Sequence, residues 1–161
     1  MALRLTEASI QAYLWKALPI CEHVGLTVES ARDEVYRCRV PLNDQNRNHI
    51  NTVHAAIQWA AAEILGGLVI AGNFDLEQLF AVVRSVSIDF LRPARTAIVA
   101  EAFFPDAQAE ELKRELVNRD QAEFELNAVI RDESGTEVAR SNAQYLIRKR
   151  GVRGVPPDKQ P

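Results

Sequence analysis

The sequence predicts an α+β domain: an antiparallel sheet wrapped around one long central helix, with an additional helix at the N-terminus. Three observations carry this reading. Residues 53–72 are apolar on nearly every helical face, interrupted only by His54, Gln58 and Glu63, and a helix of that kind must be covered all round. The segments flanking it alternate apolar and polar residues, as strands do when one face is buried and the other wetted. The order along the chain is helix, two strands, long helix, then four long strands. At 161 residues the chain is long enough for one domain with a real core and hardly for two.

Each element has its own signal. Over residues 6–18, Ile10, Tyr13, Leu14 and Leu18 fall at helical spacing; Thr6 is placed to cap the helix and Pro19 to end it. Residues 25–30 and 34–40 have strand chemistry, with a turn at 31–33. A polar loop over 41–51 leads into the long helix, for which Thr52 is a reasonable cap, and Gly66-Gly67 is expected to loosen that helix toward its end. Residues 79–93 and 96–105 read as strands. The charged run 106–120 reads as a solvated helical excursion. Residues 122–150 hold two strands around the turn 132–135, a sound hairpin signal. One domain therefore spans 1–150, and residues 151–161, rich in Gly, Pro and charge, are expected to form a flexible tail.

Composition excludes several function classes. The net charge is −3, without the basic excess of a nucleic-acid binder. His23, His49 and His54 lack zinc spacing, and no metal site is expected. No serine nucleophile elbow or Gly-rich phosphate loop is present. Cys21 and Cys38 both fall in strand-like segments and read as buried free thiols, which suits a reducing compartment. The N-terminus does not read as a secretory signal. The apolar run over 53–72 has the length of a membrane span, but an ionisable group at mid-span is expensive; a buried helix is the better account, and a cytoplasmic location is expected.

The stretch that carries chemistry is Asn48-His49-Ile50-Asn51-Thr52-Val53-His54-Ala55-Ala56, with Glu63 nine residues beyond His54. It resembles the N-x-x-G-T-x-H-G-G motif, followed nine residues after the His by Asp or Glu, of hotdog-fold acyl-CoA thioesterases of the phenylacetate-pathway type, and is closest to a less characterised bacterial hotdog group. The strands around Arg92-Pro93-Ala94 resemble that family's next two. The resemblance implies a hotdog fold, a homodimer or dimer of dimers, and sites at the subunit interface. It departs at Asn51, which replaces a Gly, at Ala55 and Ala56, which replace a Gly pair, and at Arg92.

The residues themselves support thioester hydrolysis. Glu63, among apolar side chains, would lose hydration when ionised, which raises its pKa toward that of a general base. Asn48 could orient the water or the thioester. His54 joins the catalytic set, either capping the helix and holding its loop or acting as a base. The Ala55 backbone N–H, at a helix start without an intrahelical partner, is the candidate oxyanion donor. His49, Asn51, Ala56 and Arg92 are candidates for binding substrate, an acyl-CoA or related thioester; no cofactor is implied. Nine helical steps place His54 and Glu63 on opposite sides, so a site using both ends of the motif is expected to be shared between two chains. Two other readings compete: a hotdog domain that binds an acyl thioester or fatty acid without hydrolysing it, and a hydroxyacyl-thioester dehydratase using His49 with Glu63.

Overall fold

A computed structural model describes residues 5–151. The chain opens with α1 (Glu7–Ala17), capped by the Thr6 side chain, which accepts from the Ser9 N–H. Pro19 does not merely stop this helix. It occupies the first turn of a second short helix, α2 (Pro19–His23), where its missing N–H costs nothing. Cys21 is therefore helical, not in a strand as expected, although both thiols are buried and unoxidised.

Strands β1 (Thr27–Arg32) and β2 (Val35–Val40) form a hairpin whose turn falls at Asp33 and Glu34, both at positive φ, rather than at 31–33. The long helix α3 (Ala55–Asn73) follows, then β3 (Leu79–Phe90), β4 (Ile98–Phe103), helix α4 (Asp106–Asn118), β5 (Gln121–Asp132) and β6 (Glu137–Lys149). The six strands form one antiparallel sheet in the order β1-β2-β4-β5-β6-β3. The β5–β6 turn sits where expected: the Asp132 carboxylate accepts from the Ser134 and Thr136 N–H groups, and Gly135 takes positive φ. Most of the tail expected over 151–161 lies outside the described residues.

The sheet curls around α3, the hotdog arrangement. Leu65, Leu68 and Val69 of the helix are wholly buried against Tyr36, Val40, Ile98, Ile130 and Ile147 of the strands. Ten of the nineteen residues of α3 are buried, so a helix long and apolar enough to cross a membrane serves here as a core. Helix α4 departs from the solvated excursion expected of it. Ala109, Leu112 and Leu116 recur at three- and four-residue spacing and bury one face; the charges that dominate its composition occupy the other.

Gly66-Gly67 does not loosen α3, which runs on to Asn73. Gly66 is required by packing: a Cβ there would lie 2.2 Å from the Tyr145 ring. Gly67 is different, since a Cβ would meet nothing nearer than Ile64 Cδ1 at 3.8 Å. The chain also leaves one stripe of α3 uncovered, contrary to the expectation of cover all round. Ala56, Trp59 and Gly67 are exposed and Glu63 is half-buried, and these positions share one helical face.

Candidate functional site

The polar loop before α3 is held by its own side chains. Asn46 is buried and donates to the Val24 and Pro41 carbonyls while accepting from the Asn43 N–H. Asn48 accepts from the N–H groups of Ile50 and Thr52, each at 3.1 Å, and donates to Thr52 Oγ1 at 2.8 Å. Both its polar atoms are engaged within the loop, so it shapes the site and is not aimed at a reacting atom. Asn51 takes φ +57° and accepts from Arg47 Nη1. Left-handed backbone favours Gly, and Asn tolerates it better than most residues, so the replacement of the motif's Gly by Asn preserves the loop conformation.

The cap of α3 is His54, not Thr52. Its Nδ1 accepts from the Ala56 N–H at 3.0 Å, which places the ring proton of the neutral imidazole on Nε2. Thr52 is buried inside the loop instead. With the Ala56 N–H occupied by His54 Nδ1, and the Ile57 and Gln58 N–H groups bonded to the His54 carbonyl, the Ala55 N–H is left without a partner among the described residues, at the positive end of the helix.

Glu63 lies two turns further along α3. Burial holds its carboxyl above the ordinary glutamate value. Among the described residues it has no hydrogen-bond or ion-pair partner in the chain. The Tyr145 hydroxyl donates to the Glu63 backbone carbonyl at 2.7 Å, while the Tyr145 ring stacks on Phe124, 4.9 Å between centroids. Burial first, and the Glu63 charge second, raise the pKa of both Tyr145 and Cys21, so the phenol and the thiol stay neutral.

The structure thus gathers Asn48, Asn51, His54 and Ala55 at one end of α3 and leaves Glu63 at its middle, without contact between the two groups in one chain. His49 is exposed on the loop. Arg92 is exposed and donates to the Glu137 carbonyl. Among the described residues no three His, Cys, Asp or Glu side chains gather as metal ligands. The sequence assigns no role to Gln58 or Tyr145. Gln58 is buried, donates to the Val53 carbonyl at 2.9 Å and leaves Oε1 unpaired; its signal was a polar residue inside an apolar helix. Tyr145 had no local signal, because its role depends on pairing across the sheet.

A model of the family described as "Domain of unknown function (DUF4442)" matches residues 6–147, almost all of this architecture. The chain belongs to that family. No curated protein matches it. Among solved structures, this DUF4442 chain is similar to a Pseudomonas aeruginosa protein of unknown function described as a probable thioesterase, at 28% identity over 92% of this chain and 99% of that one, with a TM-score of 0.83. A thioesterase from Haemophilus influenzae shares its fold at 16% identity, covering 96% and 100% of the two chains, TM-score 0.74. A thioesterase from Staphylococcus aureus does so at 12% identity, covering 81% and 98%, TM-score 0.67; it was solved with a glutamine replaced and, separately, with a glutamate replaced, both by alanine.

The loop of the DUF4442 chain gives a first expected result. Asn48→Ala removes the acceptor of the part-buried Thr52 N–H, a partner of the Thr52 hydroxyl and an exposed bond to the Ile50 N–H, and a hydrogen bond of this kind contributes about 0.5–1.5 kcal/mol net. Urea unfolding should show a loss of that size, with faster hydrogen exchange at the Thr52 amide.

Proposed function

We propose that this protein is an acyl-CoA thioesterase, of the kind found in phenylacetate pathways, acting as a homodimer with Glu63 as its base. One observation carries the reading: a half-buried carboxylate without a partner, held above the ordinary glutamate value, on the stripe of the central helix that the chain leaves uncovered. Burial of that kind costs stability and fits a group kept for proton transfer.

Glu63 takes a proton from water as the water oxygen bonds to the thioester carbonyl carbon. The carbonyl oxygen gains negative charge, which the unpartnered Ala55 N–H and the helix start stabilise. The C–S bond then breaks, and Glu63 returns the proton to the departing thiolate, leaving a carboxylic acid and a free thiol. Ala55 and Glu63 are eight residues apart, roughly 12 Å along one helix, too far to act on the same carbonyl within a chain. The site therefore uses Glu63 of one chain and the 48–55 loop of the other. Strand β3 offers the means: it is an edge of the sheet, with Val82 and Phe90 exposed, and such edges pair readily with a second copy.

The spacing between the loop residue and the carboxylate recurs in a protein of like fold. The replaced glutamine and glutamate of the Staphylococcus aureus thioesterase stand fifteen positions apart, as Asn48 and Glu63 do here. Acyl-CoA chemistry and two reduced thiols suit the cytoplasm. A panel of short, medium, long and aryl acyl-CoAs, followed by detection of released thiol, tests the activity. Turnover of at least one is expected. Saturable binding without turnover of any would replace the hydrolase by a binding domain.

A further inference from the structure

A cavity of about 210 Å³ lies between α1, α3 and β3. Tyr13 and Leu14 of α1 roof it, Phe80 of β3 walls it, and Ile64, Gly67 and Ala71 of α3 form its floor. Of these, Gly67 lies one turn beyond Glu63, since positions i and i+4 lie on the same helical face. Gly67 is exposed in the middle of a nineteen-residue helix, where glycine is the least favoured residue after proline. Within one chain neither packing nor backbone requires it: a Cβ there meets only Ile64 Cδ1 at 3.8 Å, whereas at Gly66 it would strike the Tyr145 ring. The missing side chain keeps the cavity open at the position one helical turn beyond Glu63, a residue outside the lining itself. At the other end the Arg150 guanidinium lies over the Phe80 ring, 5.5 Å from its centre.

We infer that this groove, roofed by the N-terminal helix and floored by Gly67, holds the acyl chain of a medium-chain thioester whose carbonyl sits at Glu63. The inference rests on the thioesterase reading for the identity of the ligand. Size sets the class. An apolar cavity of about 150 Å³ takes one benzene ring, so a cavity of this volume takes a hydrocarbon of roughly eight carbons on the same scale. The lining, apolar apart from Tyr13 and Arg150, suits an unsubstituted chain.

The test uses S-octyl-coenzyme A and S-ethyl-coenzyme A, thioethers that cannot be hydrolysed, with binding read by calorimetry. The intact protein should bind the octyl compound about tenfold or more tighter than the ethyl one, because buried methylenes add to affinity. Gly67→Leu should abolish that preference, octyl binding falling to the ethyl level. Gly67→Ala should reduce the preference by about threefold or more while raising the melting temperature; it decides between the outcomes if the leucine variant does not fold. No octyl preference in the intact protein, an unchanged preference in both variants, or loss of the dimer in Gly67→Leu would each overturn the groove as an acyl site. The octyl preference with no hydrolysis of any acyl-CoA would leave the groove standing and remove Glu63 as a base, so the two readings fail separately.

Discussion

Glu63→Gln is expected to lower thioester hydrolysis by about a hundredfold or more, the scale for loss of a general base, with the dimer intact and the melting temperature raised at neutral pH. Both effects come from the same burial. Glutamine keeps the volume but cannot take a proton, so turnover falls. It also carries no charge, so the cost of desolvating an ionised carboxyl disappears. The pH dependence follows from the direction of the shift: the Glu63 pKa is raised in the folded protein. Its contribution to stability is therefore fully present below the unfolded glutamate value and is lost as pH rises through the folded value. Wild-type protein should lose melting temperature across that window, and hydrolysis should rise across it as the base ionises. The variant should lack both trends. Activity retained at most of its wild-type level would make Glu63 structural.

Gly66→Ala is expected to be the most damaging single methyl added to the helix. The new Cβ would lie 2.2, 2.3 and 2.6 Å from three atoms of the Tyr145 ring. That ring cannot swing away at low cost, because it stacks on Phe124 and its hydroxyl is bonded to the Glu63 carbonyl. Overpacking of this kind costs about 1–3 kcal/mol or more, against a gain of about 1 kcal/mol from replacing a helical glycine. A fall of several degrees in melting temperature is expected, together with lower turnover, since displacing Tyr145 disturbs the turn that carries Glu63. A melting temperature equal to wild type would show that the ring moves freely and that Tyr145 does not hold the helix.

The order of elements was legible because it rests on local periodicity. The 3.6-residue pattern of α1 and the alternation of β5 and β6 are each contained within a dozen or so residues. What was not legible depended on distant partners. The sequence marks Gly66 and Gly67 alike as helix weakeners; only the fold shows that one accommodates Tyr145, nearly eighty positions away, while the other opens onto a cavity. The low apolar content of α4 concealed three well-spaced buried residues. In the loop, composition suggested Thr52 as the cap of α3, yet Thr52 is drawn inward by Asn48, and His54, two residues later, takes its place. The chemical motif was legible as a set of residue types, but the division of labour within it was not. Asn48 and Asn51 shape the loop, the Ala55 N–H is the donor left over, and Glu63 stands apart from them on the open stripe.

That separation makes the shared site the centre of the account, and mixing two impaired chains tests it most directly. Chains carrying Glu63→Gln and chains carrying Asn48→Ala are unfolded together and refolded, each alone having been shown to be impaired. Half of randomly paired dimers are mixed, and each mixed dimer keeps one site with both an intact Glu63 and an intact Asn48 loop. The mixture should therefore exceed the average of its parents by up to roughly a quarter of wild-type activity. Activity no higher than the average of the two parents, or a protein that remains monomeric at assay concentration, would contradict a site built from two chains.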